Sequence, residues 1–366
     1  MKPNNHNGRR RLVKGNHAVV LGAIAGGVDC FFGYPITPQN EIPEHFSVLM
    51  PRLGRTFLQA ESEVAGINMV YGAAGAGLRA MTSSSGPGFS LMMEGLSYLA
   101  GAQLPCLVVD VMRGGPGLAN VAPAQGDYFQ AVKGGGHGDY RCIVLAPWNV
   151  QEMFDLPRIA FDLADRYRMT VILLADGVLG AMLEPAIVID EGDADFGRPV
   201  VPPPKPWASR GRFGRPERNL INSIYLQPEA LQAHCEDLFA TYAEAGREVR
   251  SDERYVDDAD VVVVAYGIAA RVASSAVRMA RAGGRRVGLL RPITLWPFPS
   301  ERVRALAERA RRILVFELSG GQMVEDVRLA VEGRCPVEFF GRMGGVVPAP
   351  GELCGRIDQM REPCHA

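Results

Sequence analysis

From residue 16 to about 190, short unbroken apolar runs alternate with longer stretches whose apolar positions recur at helical spacing. The runs 29–36, 55–59, 79–84, 105–112, 141–146 and 170–175 predict strands, and 16–27, 39–49, 62–76, 87–100 and 149–167 predict helices. Apolar strands without polar alternation, separated by helices, predict an α/β unit built on a parallel sheet covered on both faces.

The pattern breaks between about 192 and 215, where Pro202-Pro203-Pro204-Lys205-Pro206 and a Gly/Arg-rich stretch cannot form regular elements. This predicts an extended connection, followed by a helix over 228–246. A second α/β unit begins at Asp260: the strand 261–266, a helix over 268–282, and then strands 286–290, 313–317 and 337–340 interleaved with helices 300–311 and 321–332. Its glycines do not form G-x-G-x-x-G and no Walker sequence is present, so nothing here predicts a dinucleotide or nucleoside triphosphate site.

A chain of 366 residues with two such units has enough length for two cores. A formal net charge of −1 gives no electrostatic reason to expect nucleic acid. The amino-terminal basic run, Arg9-Arg10-Arg11 with Lys14, reads as a solvated tail in preference to an anion-binding arm. Seven cysteines without a C-x-x-C pair argue against a disulfide scaffold, a zinc site or an iron–sulfur cluster held by this chain, and fit reduced thiols in a cytoplasmic compartment. No apolar stretch is long enough to predict a membrane span.

Candidate chemistry sits at the carboxyl ends of the predicted strands, where open α/β sheets hold their ligands. Tyr34-Pro35-Ile36-Thr37-Pro38 closes the first strand, Glu61-Ser62-Glu63 follows the second, and Arg113 ends the run Cys106–Met112 before the loop Gly114-Gly115-Pro116-Gly117. At a fourth strand end, Thr82-Ser83-Ser84-Ser85-Gly86-Pro87-Gly88 offers hydroxyls and backbone amides suited to a polar ring or an anion. Taken singly, Thr37 is a helix cap, Glu63 a first-turn carboxylate favoured by the helix dipole, and Arg113 a surface ion-pair partner. Together they describe one polar rim with a hydroxyl, a carboxylate and a guanidinium, matched to a small anionic substrate. The helix after Glu63 is rich in glycine and alanine, which predicts a close approach by another backbone or a ligand, or simply tight packing on the sheet. His137, in a glycine-rich loop, has no visible catalytic partner, and no hydrolase or metalloenzyme pattern is present.

These motifs resemble the α subunit of the 2-oxoacid:ferredoxin oxidoreductases, thiamine-diphosphate enzymes that oxidatively decarboxylate 2-oxoacids to acyl-CoA. The likeness is carried by Tyr34-Pro35-Ile36-Thr37-Pro38, by Glu63 ahead of its glycine/alanine helix and by Arg113 after Val111-Met112. It is strongest for the branched-chain members acting on 3-methyl-2-oxobutanoate, through 33–43, 57–77, 112–118 and 133–140. The resemblance implies a pyrimidine-binding domain of the thiamine-diphosphate-enzyme type over 1–195, a Pro-rich and helical connection over 196–250, and a smaller transketolase C-terminal-like α/β domain over 251–366. It gives Glu63 the aminopyrimidine ring of thiamine diphosphate, whose imino tautomer a neighbouring carboxylate favours. Pro35, Ser85 and Gly86 join Glu63 as implied cofactor contacts, Arg113 is the implied clamp for the substrate carboxylate, and Thr37 a hydrogen-bonding partner of substrate.

The chain has no Gly-Asp-Gly followed by a distal Asn for Mg²⁺ and diphosphate. The resemblance accounts for that: a β subunit is implied to bind diphosphate and metal, a ferredoxin-like subunit the iron–sulfur clusters, with a γ subunit, coenzyme A and an external ferredoxin completing the system. No metal is implied for this chain. Three alternatives stay open at this level: a 2-oxoglutarate or pyruvate:ferredoxin oxidoreductase subunit, the pyrimidine half of a non-oxidative decarboxylase, and a silent scaffold for a thiamine-enzyme partner.

Overall fold

A computed structural model describes residues 8–212, 214 and 216–360; Cys364, counted above among the thiols, lies outside the described residues. Seven strands form the larger sheet, in the order Thr294–Trp296, Ile143–Leu145, Thr170–Asp176, Cys106–Met112, Ala80–Ser84, Cys30–Gly33, Thr56–Gln59. All neighbours are parallel except the first pair. The unbroken apolar runs are buried on both faces, as Cys106–Met112 and Thr170–Asp176 are along their whole length.

From Cys30–Gly33 the chain crosses to one side, to Thr56–Gln59, while from Ala80–Ser84 it crosses to the other, to Cys106–Met112. The connections after these two adjacent strands therefore diverge, and a crevice opens between their carboxyl ends, the ligand position expected of a parallel α/β sheet. The helix Glu63–Gly75 lies over both strands and starts at that crevice.

The second sheet has the order Val337–Gly341, Arg312–Glu317, Val261–Val264, Val287–Pro292, Ser251–Arg254, the last strand antiparallel. The second unit is not closed on itself as a βαβαβ pattern suggests. After Pro292 the same chain direction continues into the larger sheet: Thr294–Trp296 pairs with Ile143–Leu145, and Ala146 N donates to Ile293 O (2.8 Å). Gln125 joins the units further. Its Nε2 donates to Tyr266 O (2.9 Å), its Oε1 accepts from Leu318 N (2.8 Å), and its own N donates to Leu318 O (2.8 Å).

The basic amino-terminal cluster is a strand, not a solvated tail. Arg9–Lys14 pairs antiparallel with Leu183–Val188, and Arg11 and Arg9 pair with Asp190 and Asp193 while Lys14 pairs with Glu41. For the two arginines, acidic residues some 180 positions away supply the counter-charge, while Lys14 finds Glu41 27 positions on. The small-residue helix also departs from one expectation. A Cβ at Gly66 or Gly75 would meet only ordinary van der Waals neighbours, and one at Gly72 would meet open space, so close packing within this chain does not require these glycines.

The extended connection is anchored. Lys205 forms a buried ion pair with Asp165 (2.6 Å), and Asp165 also receives Arg79 Nε (2.8 Å), while Arg79 reaches Asp162 and Gly26 O. The side chains of Arg79, Asp165 and Lys205 are all nearly inaccessible. Removing one partner of a buried pair leaves an uncompensated charge, so Arg79→Ala is expected to cost about 3–5 kcal/mol. Urea unfolding checks this: the midpoint should fall with little change in slope, and an unchanged midpoint would contradict the assigned role.

Candidate active site

The crevice is walled by two short segments. On one side, the loop Tyr34–Pro38 leaves the strand Cys30–Gly33; on the other, Ser85–Gly88 leaves Ala80–Ser84. Gln39 ties them together: Ser83 Oγ donates to Gln39 Oε1 (2.7 Å), and Gln39 Nε2 donates to Tyr34 O (3.0 Å). Gln39 is fully buried, so this bridge fixes the width of the crevice mouth.

The turn Gly86–Gly88 touches two of the three residues expected at the rim, one on each side. At Gly86, φ is +47°, a conformation favouring glycine, and the residue packs against the Arg113 side chain. At Gly88, the missing side chain leaves room for a carboxylate: a Cβ there would lie 2.2 Å from both Glu63 Oε1 and Ser84 Oγ. Glu63 is 5% exposed, with Oε1 accepting from Ser84 Oγ (3.2 Å). Glu63 Oε2 has no hydrogen-bond partner among the described residues, which leaves one carboxyl oxygen for a polar ligand.

Arg113 is buried at the end of the strand Cys106–Met112. Its Nη1 donates to Thr37 O (2.9 Å) and Nη2 to Leu118 O (3.3 Å), while Nε is buried without a partner. Thr37 therefore meets Arg113 through its backbone carbonyl, and its side chain is exposed, as is Pro35. Among the described residues no hydrogen bond joins Glu63 to Arg113 or Thr37; the turn Gly86–Gly88 touches Glu63 at Gly88 and Arg113 at Gly86. Ser85 and Thr82 are fully buried, and their hydroxyl oxygens have no hydrogen-bond partner among the described residues. Unspent buried hydroxyls beside a half-paired carboxylate are what a polar ring entering this crevice would satisfy. His137 is exposed, with its carbonyl accepting from Ser97 Oγ.

A cleft of about 550 Å³ opens on the Arg113 side of the turn, lined by Gly86, Pro87, Arg113, Asp127, Ser319 and Gln322 among others. It lies between the first unit and the second. Gln322 closes it from the second unit: its Oε1 accepts from Phe129 N (2.7 Å), and its Nε2 donates to Gly126 O (2.7 Å). Glu317 holds the segment before the helix Met323–Val331 by accepting from Gln322 N, Met323 N and Val324 N. That carboxylate occupies the helix N-terminus itself.

Two residues of this region carry no signal as a motif. Asp110 is fully buried inside the strand Cys106–Met112, accepts from Gly86 N (3.3 Å), and is a hydrogen-bonding neighbour of Asp127. Burial, and then the charge of Asp127, hold its carboxyl well above the usual carboxylate range. Burial also raises Asp127, against the pull of Gln130, Asp110 and Arg113. In the sequence Asp110 is one acid inside the run Cys106–Met112 and Asp127 lies in the loop that follows, so nothing there pairs them.

Comparison with known proteins places this geometry in a family. The family model described as pyruvate flavodoxin/ferredoxin oxidoreductase, thiamine-diphosphate-binding, matches residues 21–254, and that of the pyruvate:ferredoxin oxidoreductase core domain II matches residues 259–353. The ketoisovalerate oxidoreductase subunit VorB of Methanothermobacter thermautotrophicus is 54% identical over 96% of this chain and 97% of its own. The 2-oxoglutarate synthase subunit KorA of the same organism is 38% identical over 95% of this chain and 98% of its own. Among solved structures, a 2-oxoglutarate:ferredoxin oxidoreductase from Magnetococcus marinus, with 2-oxoglutarate, coenzyme A and succinyl-CoA bound, superposes with a TM-score of 0.82 at 29% identity. That match covers 96% of this chain and 65% of the other. A split-gene transketolase, at 13% identity and a TM-score of 0.59, shares the fold.

Proposed function

Since this chain belongs to the pyruvate flavodoxin/ferredoxin oxidoreductase family, we propose that it is the subunit contributing the aminopyrimidine half of the active site in a branched-chain 2-oxoacid:ferredoxin oxidoreductase. The observation that carries the substrate choice is the 54% identity to a ketoisovalerate oxidoreductase subunit across nearly the full length of both chains, against 38% for a 2-oxoglutarate synthase subunit. Residues 1–195 are taken as the pyrimidine-binding unit, 196–250 as the connection and 251–366 as the transketolase C-terminal-like unit.

Thiamine diphosphate, when bound, supplies the carbon nucleophile and the electron sink for decarboxylation. The residues suited to its aminopyrimidine are Glu63, with Oε2 unspent, and Ser85, with its hydroxyl unspent, framed by Gly86 and by Pro35 across the crevice. Glu63 exchanges a proton with the ring from a carboxylate that Ser84 and the bare Gly88 hold in one place. Arg113 binds the substrate carboxylate from the wall of the cleft, with a guanidinium whose terminal nitrogens are held in place by Thr37 O and Leu118 O. Thr37, with an exposed side chain, is free to hydrogen-bond substrate.

Diphosphate and Mg²⁺ belong to a β subunit, iron–sulfur clusters to a ferredoxin-like subunit, and a γ subunit completes a complex that works with coenzyme A and an external ferredoxin in the cytoplasm. No helix among the described residues is long and apolar enough to cross a membrane. The test is ferredoxin reduction by the complex reconstituted with its partner subunits, using 3-methyl-2-oxobutanoate, 2-oxoglutarate and pyruvate with coenzyme A. The branched-chain acid is expected to give the highest kcat/KM, by tenfold or more, since about 1–3 kcal/mol per methylene is available in an apolar pocket. A preference for 2-oxoglutarate would overturn the substrate assignment.

A further inference from the structure

We propose that Asp110 and Asp127 form a carboxyl pair that holds one proton between them behind Arg113, and that this proton sets how tightly Arg113 grips a substrate carboxylate. The inference rests on the reading of Arg113 as the carboxylate clamp. It assigns Asp110 and Asp127 as positioning residues for the binding step.

Four observations support it. Asp110 is fully buried, and one of its oxygens accepts from Gly86 N (3.3 Å) while the other has no donor among the described residues. Asp127 is arranged likewise: Oδ1 accepts from Gln130 Nε2 (2.6 Å), and Oδ2 is buried without a donor. The two carboxyls are hydrogen-bonding neighbours, and a proton shared between them supplies a donor to a pair that otherwise holds two orphaned oxygens. Asp127 also lines the cleft that Arg113 lines, and Arg113 Nε is buried with no hydrogen-bond partner among the described residues.

Two adjacent buried carboxylates cannot both ionise without a large cost, so the pair keeps one proton and one negative charge. Burial raises both groups, and Asp110 most. The charged group facing the pair is Arg113, from the end of the strand that carries Asp110. From the second unit the neighbour is Tyr266, whose phenol stays neutral because burial, Glu317, Asp176 and the pair itself all raise it. Tyr128, beside Asp127 in the chain, donates to Asp326, which also pairs with Lys133. Arg113 is thus balanced by one negative charge while the pair holds its proton, and is opposed by two once the proton leaves through the cleft.

The consequence is a linkage. An anionic 2-oxoacid arriving at Arg113 strengthens the pair's hold on its proton, and by reciprocity loss of that proton weakens substrate binding. The substrate contributes no titration of its own, because its carboxyl, made more acidic by the adjacent oxo group, ionises far below neutrality. In the assembled complex, KM for the 2-oxoacid is therefore expected to rise with pH, by up to about tenfold per unit for one proton, with no matching step in kcat.

The experiment measures KM and kcat against pH for the wild-type complex and for complexes carrying Asp110→Asn, Asp127→Asn and Arg113→Gln. Either Asp→Asn variant should remove the rise, because neither can place two negative charges behind Arg113. A wild-type KM that is flat across the stable range, or variants that retain the wild-type slope, overturns the proposal. Infrared difference spectra of the wild-type complex keep the test decisive if a variant does not fold. A protonated carboxyl band that disappears over the pH range in which KM rises supports the pair, and no such band at neutral pH overturns it. Arg113→Gln reports on the underlying reading alone: an unchanged KM would remove Arg113 as the clamp, whatever the pair does.

Discussion

Glu63→Gln in the assembled complex is expected to lower kcat by about 10²–10⁴-fold, the range for loss of a positioned acid–base group. Glutamine has nearly the same shape and can still accept from Ser84 Oγ through its amide oxygen, so the helix Glu63–Gly75 and its Ser62 cap remain intact. What is lost is the exchangeable proton on a carboxyl that is 5% exposed and has no other acid or base in hydrogen-bonding contact. Because water cannot readily replace it there, the loss is not rescued by solvent. The measurement is ferredoxin reduction at saturating substrate, alongside a melting curve of the complex. Turnover within a few-fold of wild type would show that this chain serves as a scaffold and that the chemistry lies elsewhere.

The central elements of the larger sheet were legible in the sequence for a simple reason: they are apolar runs buried on both faces, with helices between them. Cys106–Met112 and Thr170–Asp176 are of this kind, and the structure adds only their order in the sheet. Elements whose stability comes from distant partners were not legible. Arg9–Lys14 reads as a charged tail until Leu183–Val188 and the two aspartates beyond it are brought alongside. Thr294–Trp296 is three residues long, and it is a strand because Ile143–Leu145 offers an open edge to pair with.

The same division runs through the candidate site. Thr37, Glu63 and Arg113 could be placed at strand ends from the alternation of elements alone, yet the atom Thr37 offers to Arg113 is its carbonyl and not its hydroxyl. Backbone contacts of that sort depend on the path of a loop, which residue types do not encode. Gln39 and Gln125 are fully buried and bridge segments far apart, but a glutamine in a sequence reads as surface. Asp110 is one of several buried acids, with Glu63, Asp176 and Glu317, and a single acid inside an apolar run does not reveal that the loop residue Asp127 lies beside it.

Gly88→Ala is expected to fold and to lose about 10²-fold in kcat, the effect of displacing a catalytic group by about 1 Å. The new methyl would sit 2.2 Å from Glu63 Oε1 and from Ser84 Oγ, and 2.7 Å from Glu63 Cδ. These are side-chain ends, which can rotate away, so stability should change little while the carboxyl leaves its place. The effect differs from a general loss of packing in a way that can be measured. If the methyl acts only by moving Glu63, then Gly88→Ala adds nothing once Glu63→Gln is present, and the double variant should turn over no more slowly than Glu63→Gln alone. Additive losses would mean that the turn Gly86–Gly88 acts on something besides Glu63. Arg113 is the first place to look, because Gly86 packs against its side chain from the same turn. A rise in KM for the 2-oxoacid in Gly88→Ala, with additive kcat losses, would identify the turn as the element that couples the carboxylate on one side to the guanidinium on the other.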